Sequence, residues 1–159
     1  MANVLVVGVD GTADSLAALA AAAELGEESG SDLVVVHVRH ENWASAVGDS
    51  QIGGGAAELA ATDSLDAIEA TSRARSHDVL ATRHLHWRFE VAAGDPATAL
   101  IAAAQRYEAK AIVVGGRTHG LVGGLVVGSV AQKLVRHSPA SVIVVRAGQS
   151  RRLPIVSTA

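Results

Sequence analysis

Four short apolar runs constrain the fold of this chain more than any other feature: Val4-Leu5-Val6-Val7-Gly8-Val9, Leu33-Val34-Val35-Val36-His37-Val38, Ala111-Ile112-Val113-Val114 and Val142-Ile143-Val144-Val145. Each is continuous rather than alternating, and each is rich in β-branched residues, the pattern of strands covered on both faces. Such strands belong to parallel sheets, whose neighbours are joined by crossovers that are usually helical. The intervening segments read accordingly. From Ala13 to Glu28, Leu16, Leu19, Ala20 and Ala23 fall at helical spacing, with Asp14 or Thr12 as the cap and Gly30 as the stop. The segment from Ala56 to Leu80 is helical by composition, with mixed faces. Gly94-Asp95-Pro96 is a turn that opens a helix striped by Leu100, Ala103, Ala104 and Tyr107, and a last helix runs from Ser129 to His137.

A fifth strand has a different pattern. His84, His86, Arg88 and Glu90 alternate with Leu85, Trp87, Phe89 and Val91, so one face is polar and the strand is an edge or is covered on one side only. The order β-α-β-α-β-α-β-α-β predicts a single α/β domain: a doubly wound, open five-stranded parallel sheet with helices on both faces, Rossmann-like. In such sheets ligands lie outside the carboxyl ends of the strands, where the strand order switches. Asp10-Gly11-Thr12, His37-Val38 and the segment Gly115–Ser129 all project from those ends.

Composition narrows the function. The chain is 49% hydrophobic but only 3% aromatic, which implies a core of small side chains that let helices lie close to a sheet and argues against stacking platforms for sugars or bases. A net charge of −3 gives no electrostatic case for nucleic acid or for an anionic membrane, and neither is an expected partner. With no cysteine, disulfides, thiolate zinc sites, iron–sulfur clusters and a cysteine nucleophile are all excluded. The first residues lack a basic region and Asp10 interrupts their apolar run, so no secretory signal is read, and no apolar stretch approaches the roughly 18 residues of a membrane span. The expectation is a soluble cytoplasmic protein.

Six of the 16 glycines lie between Gly115 and Gly128, in a segment that starts at a strand end and finishes at a helix start. Glycine allows positive φ and close approach of backbone to a ligand. The exposed N–H groups of such a loop, with those of the following helix N-terminus, suit an anion. Ser129 is placed either to cap that helix or to offer its hydroxyl to a phosphate. The segment is not a Walker A loop, since no Gly-Lys-Ser/Thr triplet occurs, and no GxGxxG follows the first strand.

With Val7-Gly8-Val9-Asp10-Gly11-Thr12, Val36-His37-Val38 and the block from Val113-Val114-Gly115 through Gly128-Ser129-Val130-Ala131-Gln132-Lys133 to Ser138-Pro139-Ala140-Ser141-Val142-Ile143-Val144-Val145-Arg146, the chain resembles a universal stress protein from Asn3 to Arg146. The resemblance implies a domain over residues 1–146, a tail over 147–159 and the sheet order 3-2-1-4-5. ATP-binding members of that family carry G-x2-G-x9-G-[S/T]. Here Gly115 and Gly128-Ser129 match and the spacer His119–Val127 is intact, but Thr118 stands where the middle glycine would be. A Thr is disfavoured where φ must be positive, although its hydroxyl offers a phosphate contact.

The resemblance implies that Asp10, with Gly11 and Thr12, lies near the ribose and phosphates, that the Val38 backbone meets the adenine edge, and that Gly115, Thr118, Gly128, Ser129 and Val130 line the phosphate path. Arg117 is added as a fixed cation able to fork onto phosphate oxygens. Lys133 reads as a surface helix residue. The implied cofactor is ATP or another adenine nucleotide, with Mg²⁺ as an optional companion. The implied assembly is a homodimer through an edge strand, Ser141–Arg146, which the tail with Arg146, Arg151 and Arg152 would either cover or reach across.

Other constellations carry less. His84 and His86 would share one strand face but have no third ligand nearby in sequence, so no metal site is read. His37, at the end of a buried strand, reads as a hydrogen-bonded core histidine, and no Gly-x-Ser-x-Gly elbow supports hydrolase chemistry. The leading reading is a nucleotide-binding sensor or regulator in the stress response, with no catalytic residue assigned and at most slow ATP hydrolysis. The alternative is a dimeric stress protein of the same fold that does not bind ATP and works by protein–protein interaction.

Overall fold

The apolar runs become the strands of one sheet. The structure, a computed structural model, describes residues 3–39, 56–116, 128–148 and 155–156, with the backbone alone at 56–62 and 155–156. In chain order the elements are β1 (Asn3–Val9), α1 (Ala13–Ser29), β2 (Ser31–Arg39), α2 (Ala56–Leu80), β3 (Trp87–Ala93), α3 (Pro96–Arg106), β4 (Ala111–Gly115), α4 (Ser129–His137), β5 (Ser141–Val145) and β6 (Ile155–Val156). The sheet order is β3-β2-β1-β4-β5-β6. The first five strands are parallel in the expected order 3-2-1-4-5, in register Val7↔Val35, Val7↔Val113 and Val113↔Ile143.

Side chains alternate across a strand, so each run feeds two cores. Val4, Val6, Val34, Val36, Ile112 and Val114 face α3 and α4, meeting Leu100, Ala103 and Leu134. Leu5, Val7, Leu33, Val35 and Val113 face the other way and meet Leu19, Ala22 and Ala23 of α1 and Leu80 of α2. The small residues bring α1 close. Its buried stripe is Ser15, Ala18, Leu19, Ala22, Ala23 and Gly26, rotated from the expected one so that Leu16 and Ala20 are only half-buried. Thr12 rather than Asp14 caps α1, accepting from Ser15 N–H, and Gly30 ends it at φ 64°.

Two expectations are corrected and a third is met. The final parallel strand was expected at the sheet edge. Instead β6 pairs antiparallel with it, Val142↔Val156 and Ile143↔Ile155, so an apolar edge that would invite pairing is covered by the chain's own tail. His84 and His86 do not share a strand face, because β3 begins only at Trp87 and both lie in the connection before it. Glu27 helps hold that connection, accepting from His84 N–H at 2.9 Å. His37 is buried, as expected, and its Nδ1–H donates to the Val9 carbonyl at 3.1 Å while its ring stacks on Phe89. Among the described residues no helix is long and apolar enough to cross a membrane.

Candidate functional site

Three helices begin where β1, β3 and β4 give out, and their first turns surround a cavity of about 460 Å³ at the β1/β4 switch point. Of the residues expected there, Asp10, Thr12, Val38, Gly115, Gly128, Ser129 and Val130 line it. Gly11 does not. Its φ of 79° turns the chain, its carbonyl accepts from Arg75 at 2.8 Å, and the space beside its Cα faces Ser72 of α2. Arg117 and Thr118 lie outside the described residues.

The β1–α1 wall is locked by short local bonds. Asp10 Oδ1 accepts from both Thr12 N–H at 3.0 Å and Thr12 Oγ1 at 2.6 Å. The Ser15 hydroxyl donates to the Thr12 carbonyl at 3.0 Å and accepts from Asp10 N–H at 3.2 Å. Such side-chain bonds to nearby backbone fix a turn without a sheet or helix partner. Asp14 also lines the cavity and accepts from Ala147 N–H at 3.2 Å, which ties the segment after β5 to the start of α1.

The apolar lining of the cavity includes Val36, Val38, Leu100, Pro96 and Gly8. A Cβ on Gly8 would stand 2.9 Å from Leu100 Cδ1, so glycine here keeps the β1 end narrow. Because β1 ends opposite His37 while β2 runs on to Arg39, the flank of β2 at Val38 is open on the β1 side.

The three helix starts around the cavity differ. Thr12 caps α1, and Asp95 caps α3 by accepting from Thr98 N–H at 3.0 Å and Thr98 Oγ1 at 2.9 Å. At α4 the cap is Gly128, which has no side chain to offer, and Ser129 is the first helical residue rather than the cap. The first N–H groups of α4 therefore have no side-chain acceptor from their cap, and the helix dipole adds partial positive charge at the same point. An anion fits that end.

Asp95 and Lys133 escaped the sequence reading as site residues. Lys133 Nζ donates to Asp95 Oδ1 at 2.9 Å, and both side chains line the cavity. That bond, helped by the two from Thr98, holds the Asp95 carboxyl down at about 2. Two signals pointed there. Every βα junction of a parallel sheet opens at the same end, and Lys133 follows Ser129 by four residues, which puts both on one face of α4. Among the described residues no three His, Asp or Glu side chains are grouped to hold a metal ion.

Comparison with known proteins gives one consistent result. A family model described as "Universal stress protein family" matches residues 1–146. A search of curated protein sequences found no match. The chain is similar in structure to the universal stress protein UspA from Lactobacillus plantarum, with a TM-score of 0.69, 25% identity, and coverage of 91% of this chain and 97% of that one. It is similar to a universal stress protein from Archaeoglobus fulgidus, with a TM-score of 0.68, 21% identity and coverage of 91% and 98%. A universal stress protein solved in complex with cAMP superposes with a TM-score of 0.60, 21% identity and coverage of 92% and 98%.

Proposed function

The chain belongs to the universal stress protein family, and we propose that it binds an adenine nucleotide, of the ATP or AMP type, in the cavity between β1 and β4 and acts as a cytoplasmic sensor or regulator in the stress response. The observation that carries the reading is the α4 start. A glycine-capped helix N-terminus, without a side-chain cap, opens into a cavity whose lining also includes the apolar Val36, Val38 and Leu100. A nucleotide needs both: an anion site for its phosphates and apolar surface for a flat heterocycle. The volume of about 460 Å³ lies within the range usual for small-molecule sites.

In this reading the base lies against Val36, Val38 and Leu100, with its edge on the open flank of β2. The ribose meets Asp10, held in place by Thr12. The phosphates take the N–H groups of Ser129 and Val130, the Ser129 hydroxyl and the backbone at Gly115 and Gly128, with Arg117 and Thr118 from the intervening segment. A Mg²⁺ ion would accompany a polyphosphate, because Asp10, Asp14 and Asp95 otherwise present it with negative charge. That one structural relative was solved with cAMP is consistent with a nucleotide of this class.

The test is calorimetry on the full chain with ATP, AMP and cAMP, each with and without Mg²⁺. At least one should bind, and an absence of heat and of any thermal shift for all three would sink the reading. A second reading, a dimeric interaction module that does not bind ATP, is favoured by Thr118 at the motif's middle glycine. Thr118→Gly separates the two, since it should tighten ATP binding if the Thr obstructs the phosphate path. A homodimer through Ser141–Arg146 remains part of the proposal, with β6 as the element that must move aside or mediate it.

A further inference from the structure

Resting on that reading, we propose that Lys133 is the residue through which this site reads phosphate charge, and that Asp95 holds it in reserve until a ligand arrives. The pair spans the mouth of the cavity: Asp95 stands at the start of α3, Lys133 one turn into α4, and their side chains meet at 2.9 Å. Lys133 shares a helix face with Ser129, so its ammonium stands above the same N-terminal turn that would receive an anion. Among the described residues lining the cavity, Lys133 is the one cation, against the carboxylates of Asp10, Asp14 and Asp95. Among the described residues, a phosphate entering there finds one mobile positive charge, already engaged with a competitor.

Asp95 is suited to that part because its two oxygens have separate duties. Oδ2 caps α3 through Thr98, and Oδ1 alone holds Lys133. Lys133 can leave without uncapping the helix. The bridge is also exposed, with side-chain exposures of 57% for Lys133 and 41% for Asp95, so it is weakly held and open to exchange. The Lys stem is long and flexible and its ammonium is a point donor, unlike the fixed fork of Arg. A monophosphate competes poorly with Asp95 for it, and a triphosphate competes well. The pair therefore steepens the preference of the site for more highly charged nucleotides.

The experiment measures dissociation constants by calorimetry for adenosine, AMP, ADP and ATP at fixed Mg²⁺. The proteins are the full-length chain, Lys133→Gln, Asp95→Asn and the double variant, each checked by thermal unfolding. Asn caps a helix as well as Asp, so Asp95→Asn removes the charge while keeping the cap. Lys133→Gln should weaken ATP about five- to tenfold, as expected for loss of a charged hydrogen bond, and leave adenosine unchanged. Asp95→Asn should tighten ATP about threefold when Lys133 is present, and that gain should vanish in the double variant. Unchanged ATP affinity in Lys133→Gln, or a gain from Asp95→Asn that persists in the double variant, would overturn the proposal while leaving the nucleotide reading intact. Failure of the full-length wild-type chain to bind any of the four would overturn the nucleotide reading, and this proposal with it.

Discussion

Gly115 and Asp14 are packed backbone to backbone: a Cβ on Gly115 would stand 2.6 Å from the Asp14 carbonyl carbon and 2.7 Å from its oxygen. The glycine that ends β4 is therefore what lets the first turn of α1 settle against the sheet. Gly115→Ala should push α1 outward and cost about 1–3 kcal/mol, the range for overpacking a well-packed site. Urea denaturation should show the midpoint falling at unchanged slope. Nucleotide affinity should fall as well, since Asp10, Thr12 and Ser15 move with α1. An unchanged midpoint would show that the contact relaxes freely.

Gly115 also shows how far the sequence could be read. Its place in a glycine-rich segment at a strand end is visible in the chain, because a strand ended by glycine and followed by a helix leaves few alternatives. Its partner Asp14 is not, because the close approach depends on how α1 is tilted, and that is set by Ala18, Ala22 and Gly26 together. The same distinction runs through the fold. The strands were legible because continuous Val-rich runs have only one comfortable environment, while their order 3-2-1-4-5 followed from the family resemblance and not from the pattern. The α1 stripe came out rotated because Ala-rich helices carry little periodic contrast. That the tail covers β5 was one of two alternatives, but Ile155 and Val156 could not be singled out as the pairing residues, since a two-residue strand has no pattern of its own. In the site, Asp10, Thr12 and Gly128 followed from local motifs. Asp95 and Lys133 come from two different helices, and only topology brings them together.

Ser72 and Ser76 lie on the buried face of α2, fully excluded from solvent, and among the described residues neither hydroxyl has a hydrogen-bond partner. Both share that face with Leu80, and Ser72 packs beside Gly11. A buried hydroxyl left unpaired forfeits its hydration with nothing in return, a loss of about 1–3 kcal/mol. Ser76→Ala removes it without opening a large void and should raise stability by about 1 kcal/mol. Thermal and urea unfolding would both register the gain. Destabilisation would mean that the hydroxyl has a partner, such as a bound water.

The antiparallel pair β5–β6 makes a prediction about assembly. Ile155 and Val156 lie along Ile143 and Val142, the central residues of a buried strand. Deleting residues 149–159 would leave the backbone of that strand unpaired along one side, with apolar side chains above and below. A second copy is then the best available cover. Size-exclusion chromatography with light scattering should find the truncated chain shifted towards dimer or larger species relative to full length at equal concentration. A truncated chain that stays wholly monomeric, or a full-length chain that is already equally dimeric, would show that β6 does not guard the edge.

The Asp95 carboxyl, normally near 3.8, is held at about 2, first by its bond from Lys133 and then by those from Thr98 N–H and hydroxyl. A carboxyl whose folded value is depressed binds fewer protons in the folded state than in the unfolded chain. Its contribution is therefore fully present above about pH 4 and fades as pH falls towards 2. Asp95→Asn keeps the cap but has no proton to gain. The stability difference between the wild type and Asp95→Asn should thus be constant above pH 4 and shrink between pH 4 and pH 2. Because Asp95 and Lys133 are both exposed, the difference is small and the Lys133 share should diminish further in molar salt, while the Thr98 share persists. Urea midpoints across that pH range, at low and high salt, measure both. A difference that is flat down to pH 2 would show that Asp95 is not the group responsible.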